Sequence, residues 1–101
     1  MYENIIGKKA IIRARDAGVH YGTVEAVEGR TVVLTDSRRI WRWRGGNTLS
    51  DLSITGPATS GDDYTRIAPA VGRIAVLDAC EIITTTAAAD TRFAEVLPWT
   101  M

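Results

Sequence analysis

Apolar and polar positions alternate with a short period over most of the chain, and this pattern predicts strands more often than helices. Residues 8–13, Lys-Lys-Ala-Ile-Ile-Arg, are β-branched and stopped by Asp16-Ala17-Gly18, which predicts a first strand ending in a turn. Residues 19–27 alternate, with Val19, Tyr21, Thr23, Glu25 and Val27 on one face and His20, Gly22, Val24 and Ala26 on the other. Gly22 marks a kink or a close approach in that strand. Glu28-Gly29-Arg30 is a tight connection into the β-branched run 31–35, so the second and third strands form a hairpin. Asp36-Ser37 is read as a turn, and residues 38–44 as a fourth strand.

The second half mixes periods. Asn47 is placed to cap a helix whose leucines, Leu49 and Leu52, are three apart, and Gly56 ends it before Pro57. Residues 57–63 lack periodicity and predict a loop. Pro69 confines any strand in 67–71 to a sheet edge, and residues 73–85 carry one long strand or two short ones. Thr86 caps a helix over 87–95, and Pro98 follows it. These elements predict an α+β fold, a mostly antiparallel β-sheet or small barrel with one short helix and a C-terminal helix.

Composition narrows the class. The 101 residues, 46% hydrophobic and 24% charged, suit a single domain over 1–101 with its own core. Twelve basic residues balance twelve acidic ones, so any attraction for an anion is local rather than general. The single cysteine, Cys80, has no intramolecular disulfide partner and predicts a reducing, cytoplasmic setting. Residues 1–7 lack the pattern of a signal peptide, and Asp78 interrupts the longest apolar stretch, which predicts neither signal-directed export nor a membrane span.

Candidate chemistry concentrates in residues 37–47, Ser-Arg-Arg-Ile-Trp-Arg-Trp-Arg-Gly-Gly-Asn, where four of ten arginines fall within seven residues. The local charge is +4, leaving −4 for the rest of a neutral chain. As a strand it places Arg39, Trp41 and Trp43 on one face and Arg38, Ile40, Arg42 and Arg44 on the other. Guanidinium forks suit phosphate oxygens, and tryptophans give a nucleobase a plane to stack on. The competing reading of each residue is structural: tryptophans in the core, arginines solvated or covering apolar surface with their stems, and Arg38 paired with Asp36. Gly45-Gly46, between strand and helix, can point backbone amides at an anion or form a plain turn. His20, the only histidine, is a ligand donor or a surface residue, and Asp62-Asp63 is a solvated pair. Neither metal-ligand spacing nor a nucleophile with a base is evident, so the chain is expected to be no enzyme, with no metal and no cofactor.

Residues 6–23 and 38–49, with Ala79-Cys-Glu-Ile-Ile83, resemble a family of small phage proteins that includes the first-described Thoeris anti-defence sponges. The resemblance implies a viral protein in the cytoplasm of the infected bacterial host. It implies binding and sequestration, without degradation, of a cyclic ADP-ribose isomer or related cyclic nucleotide immune signal. A homo-oligomer built from dimers is implied too, and a shared site would enclose a ligand too large for so small a core. The residue chemistry puts the ligand on Arg39, Trp41, Arg42, Trp43, Arg44, Asn47, His20, Tyr21 and Arg92. The alternatives are a small β-barrel that binds single-stranded nucleic acid, then an assembly protein of a virus particle, and last an enzyme that cleaves the signal.

Overall fold

The computed structural model describes residues 2–43, 48–59 and 66–98. A short 3-10 turn over Glu3–Ile5 precedes β1 (Lys9–Ala14), β2 (Gly18–Glu28) and β3 (Thr31–Arg42). Helix α1 (Leu49–Thr55), β4 (Arg66–Ile67), β5 (Val71–Val76), β6 (Ala79–Thr84) and α2 (Ala87–Glu95) follow. The six strands form one antiparallel sheet in the order β4-β3-β2-β1-β6, with β5 pairing β3 beside β4. The fold is therefore α+β with a mostly antiparallel sheet, and the sheet stays open rather than closing into a barrel.

The β2–β3 hairpin forms as its sequence requires, with Gly29 at φ 60° in the two-residue loop between Glu28 and Thr31. The expected turn at Asp36-Ser37 is instead a bulge inside one long strand. Asp36 takes φ 49°, the left-handed conformation aspartate tolerates in turns and bulges alike, and pairing with β2 resumes one residue out of step. Opposite it sits Gly22: a Cβ there would lie 3.0 Å from Ser37 Cα and 3.1 Å from the Thr35 oxygen, so the close approach expected at Gly22 is real.

Bulges also reassign faces. A second shift between Val24 and Ala26 carries Val27 to the face opposite Tyr21 and Val19, breaking the strict alternation of 19–27. Near the end of β3 a shift between Ile40 and Arg42 separates the two tryptophans. Trp43 packs beside Ile40, whereas Trp41 stays 45% exposed.

Each face of the sheet has its own core. On one face Ile11, Tyr21, Ile40 and Ile67 meet Leu49 and Leu52 of α1 and Phe93 of α2. Thr48, not Asn47, caps α1 by accepting from the Asp51 amide at 3.2 Å. Thr86 caps α2 as expected, accepting from Ala89 at 3.1 Å. On the other face Ala10, Ile12, Val24, Leu34 and Val76 are buried, and among the described residues no helix side chain joins them. The sheet curves over this face, because the two-residue turn Leu77-Asp78 joins β5 to β6, strands from opposite ends of the pairing order. Residues 73–85 thus hold parts of two short strands that pair with different partners. Among the described residues no helix is long and apolar enough to cross a membrane.

Candidate functional site

The curvature of the sheet brings three chain reversals together at one end. The Arg15 amide donates to the Asp78 carbonyl at 3.4 Å, and the Ala79 amide donates to the Arg30 carbonyl at 2.9 Å. The β1–β2, β2–β3 and β5–β6 turns are thereby fastened to one another. Between them lies a half-open cavity of about 800 Å³, lined by Arg13, Arg15 and Arg30 with Asp16, Asp78 and Cys80. Arg13 is held by Glu81 at 3.1 Å. The side chains of Arg15 and Arg30 have neither an ion-pair nor a hydrogen-bond partner among the described residues. Two guanidiniums thus face the cavity with their donors unspent, the condition under which a phosphate or carboxylate gains charge-assisted hydrogen bonds.

His20 and Arg39, two of the residues expected to bind ligand, stand behind this wall. His20 is buried at 1% exposure, and its Nε2–H donates to the Ala17 carbonyl at 2.8 Å. A carbonyl only accepts, so Nε2 carries the proton in that bond. Burial pushes the imidazole pKa down; the Ala17 bond opposes this, and the Arg39 charge adds to it. Arg39 Nη1 donates to the same carbonyl at 2.9 Å, filling its second lone pair. Together they clamp the turn whose Asp16 and Gly18 line the cavity.

Tyr21 belongs to a different construction. Its ring stacks on Phe93, with centroids 3.9 Å apart and an interplanar angle of 13°. Its hydroxyl donates to Asp90 Oδ1 at 2.8 Å, and the Thr85 hydroxyl donates to the same oxygen. Burial, and then the Asp90 hydrogen bond, push the phenol pKa far above its ordinary range. Arg38 reaches the end of α2 rather than Asp36, donating to the carbonyls of Phe93 at 3.0 Å, Val96 at 2.9 Å and Ala68 at 3.2 Å. Burial lowers its pKa from the usual guanidinium value. A small recess of about 240 Å³ lies among Tyr21, Arg38, Asp36, Lys9 and Asp90.

The remaining expected residues scatter. Arg92 donates from Nε to the Pro57 carbonyl at 2.9 Å, and its stem covers Gly56, which ends α1 at φ 81°. Trp41 carries the Arg66 guanidinium 5.6 Å from its ring centroid, and Arg42 is half-buried beside it in sequence. Arg44, Asn47, Gly45-Gly46 and Asp62-Asp63 lie outside the described residues. Among the described residues the fourth-strand cluster is divided: Arg38 goes to α2, Arg39 to the β1–β2 turn, Trp41 to the surface and Trp43 to the core edge.

Sequence reasoning missed Arg13, Arg15 and Arg30. Their one local signal is that each stands at or beside a strand end next to a turn, and nothing in the sequence brings those turns together. Among the described residues no group of three or more His, Cys, Asp or Glu could hold a metal ion. No curated protein and no solved structure matches the chain. A family match does cover it: residues 7–93 fit the family described as "Domain of unknown function (DUF6948)", and the chain belongs to that family.

Proposed function

We propose that the protein is a binding protein that takes up an anionic, nucleotide-like small molecule and holds it unchanged. A cyclic ADP-ribose isomer or related cyclic nucleotide immune signal is the member of that class implied by the resemblance to Thoeris anti-defence sponges. On this reading it acts in the cytoplasm of an infected bacterial host. The observation that carries the reading is the cavity of about 800 Å³ at the fastened turns, with the Arg15 and Arg30 guanidiniums left without partners among the described residues. Its volume falls in the range of small-molecule sites, roughly 300–1,000 Å³. One side of the cavity is open, and a second copy of the chain in a homo-oligomer built from dimers would enclose it.

The test is recovery. The protein is incubated with cyclic ADP-ribose, freed of unbound ligand, and denatured. Release of the intact molecule is expected. A changed product would replace the reading with an enzymatic one, and no retention of cyclic ADP-ribose or of a cyclic dinucleotide would overturn it.

The exposed Trp41 with Arg66 above its ring favours a second reading, a surface on which single-stranded nucleic acid stacks. That reading expects a generic oligonucleotide to be retarded at low salt and released steeply as salt rises. Tight binding of the cyclic nucleotide with no oligonucleotide shift excludes it.

A further inference from the structure

We infer that the arginine-lined cavity is one compartment of a two-part site whose second compartment takes a planar ring on the same ligand. The class of molecule such a site fits is a nucleoside diphosphate or a cyclic relative of one. The inference rests on the reading of the first cavity given above.

A second cavity, of about 350 Å³, opens on the far side of Arg30 and Cys80, which line both. The two linings divide the chemistry. The first holds three guanidiniums and two carboxylates, and its only apolar side chains besides Cys80 are Ala14 and Val19, so a nucleobase finds no ring to stack on there. The second is lined by Tyr2, 45% exposed, together with Val32, Ala79 and Ile82. Tyr2 is fixed at the start of the 3-10 turn, where its carbonyl accepts from the Ile5 amide at 3.1 Å. A cavity lined by an aromatic residue and aliphatic ones suits a flat heterocycle.

Electrostatics sets the direction of binding. Glu81 lines the second cavity and Arg13 the first, and their 3.1 Å ion pair runs along the seam. The first lining sets three guanidiniums against two carboxylates and the second sets one against one, so the phosphates lie against Arg15 and Arg30 and the ring against Tyr2. The exposed thiol of Cys80, donating to the Arg13 carbonyl at 3.3 Å, stands on the seam. It is the chain's only cysteine and so reports on whether the seam is covered.

The experiment uses the full chain with two probes, ADP and inorganic pyrophosphate, reading affinity by calorimetry and seam coverage by the rate of Cys80 alkylation with iodoacetamide. ADP is expected to bind about tenfold more tightly than pyrophosphate and to slow alkylation at least about fivefold at saturation. Tyr2→Ala should erase the difference between the two probes, and Tyr2→Phe, which keeps the ring, should preserve it. Equal affinities in the parent, or a ratio that survives Tyr2→Ala in a variant with parental far-UV dichroism, would overturn the two-part site while leaving the anion cavity standing. If neither probe binds the parent, the two-part site falls, and the anion cavity is judged by the cyclic ADP-ribose recovery test alone.

Discussion

Replacing Arg38 by methionine tests how far one side chain ties the sheet to its covering helix. Methionine keeps the apolar stem and removes the guanidinium. Three carbonyls are affected, unequally. Phe93 O also accepts from the Val96 amide at 3.2 Å and keeps that partner. Val96, 2% exposed, loses a bond of 2.9 Å, and Ala68 loses one of 3.2 Å. Hydrogen bonds to a charged donor are each worth about 1.5–3 kcal/mol, and a cation at a helix C-terminus adds about 0.3–1 kcal/mol. Against this stands the desolvation of the guanidinium, visible in its lowered pKa, which the substitution relieves. The net loss works out at about 3 kcal/mol.

For a domain of this size 1 kcal/mol moves the melting temperature by about 4–8 °C, so Arg38→Met should melt roughly 12–24 °C below the parent. Arg39→Met is the control. It lies one residue away, carries the same charge and is exposed, with a single bond to Ala17. Its cost should stay near 0.5 kcal/mol, about 4 °C or less. Arg38→Lys should fall between parent and Arg38→Met, because one ammonium cannot reach three diverging carbonyls as a planar fork does. Thermal melts followed by far-UV dichroism decide the matter. If Arg38→Met melts within about 4 °C of the parent, or Arg39→Met costs as much, the end of α2 is not held by this guanidinium.

Three other expectations follow from the same contacts. The folded state resists protonation of His20 while the unfolded chain takes a proton near 6.5, so stability is full above that pH and is lost as pH falls below it. Urea titrations at pH 7.5 and 5.5 should show the loss, and His20→Gln should shrink it; an undiminished loss in that variant would assign it to other groups. Gly22→Ala forces a methyl against the Ser37 backbone at 3.0 Å and should cost about 1–3 kcal/mol, so a variant as stable as the parent in urea would mean the bulge yields freely. Arg15→Ala and Arg30→Ala should leave melting nearly unchanged while each weakens cyclic ADP-ribose binding by about 1.5–3 kcal/mol in calorimetry, and parental affinity in both would remove the cavity from consideration.

The elements that could be read from the sequence were those whose determinants are adjacent in it. Gly29 between two β-branched runs specifies the hairpin, and Thr86 ahead of an alanine-rich run specifies α2, because turn and cap chemistry are decided within a few residues. Gly22 was legible as a close approach, but its partner was not. The Asp36-Ser37 pair misled because a left-handed aspartate suits a turn and a bulge equally, and only the length of the β2 partner strand decides which one forms. That misreading is not confined to the element list. Each bulge exchanges the faces of every residue beyond it, so a flawless alternation from residue 38 to 44 still could not say that Trp43 would join Ile40.

The site shows the same limit at longer range. A run of arginines in sequence looks like a binding surface because its charges add, yet a strand sends neighbours to opposite faces, and here Arg38 and Arg39 end on carbonyls 55 and 22 residues away. A backbone acceptor at a tight turn took the Arg39 donor that a linear reading had assigned to the ligand, and acceptors at a helix end took Arg38, which that reading had paired with Asp36. Arg15 and Arg30, whose guanidiniums have no partner among the described residues, stand at turns, where the chain is exposed. Their convergence depends on sheet curvature and on a two-residue link between strands at opposite ends of the pairing order, both properties of pairing and not of composition. In a chain with zero net charge a local excess of cations comes from adjacent residues, as in 38–44, or from topology that gathers separated ones, as with Arg13, Arg15 and Arg30. Partner accounting, donor by donor, therefore locates the candidate site in this fold better than charge density along the sequence.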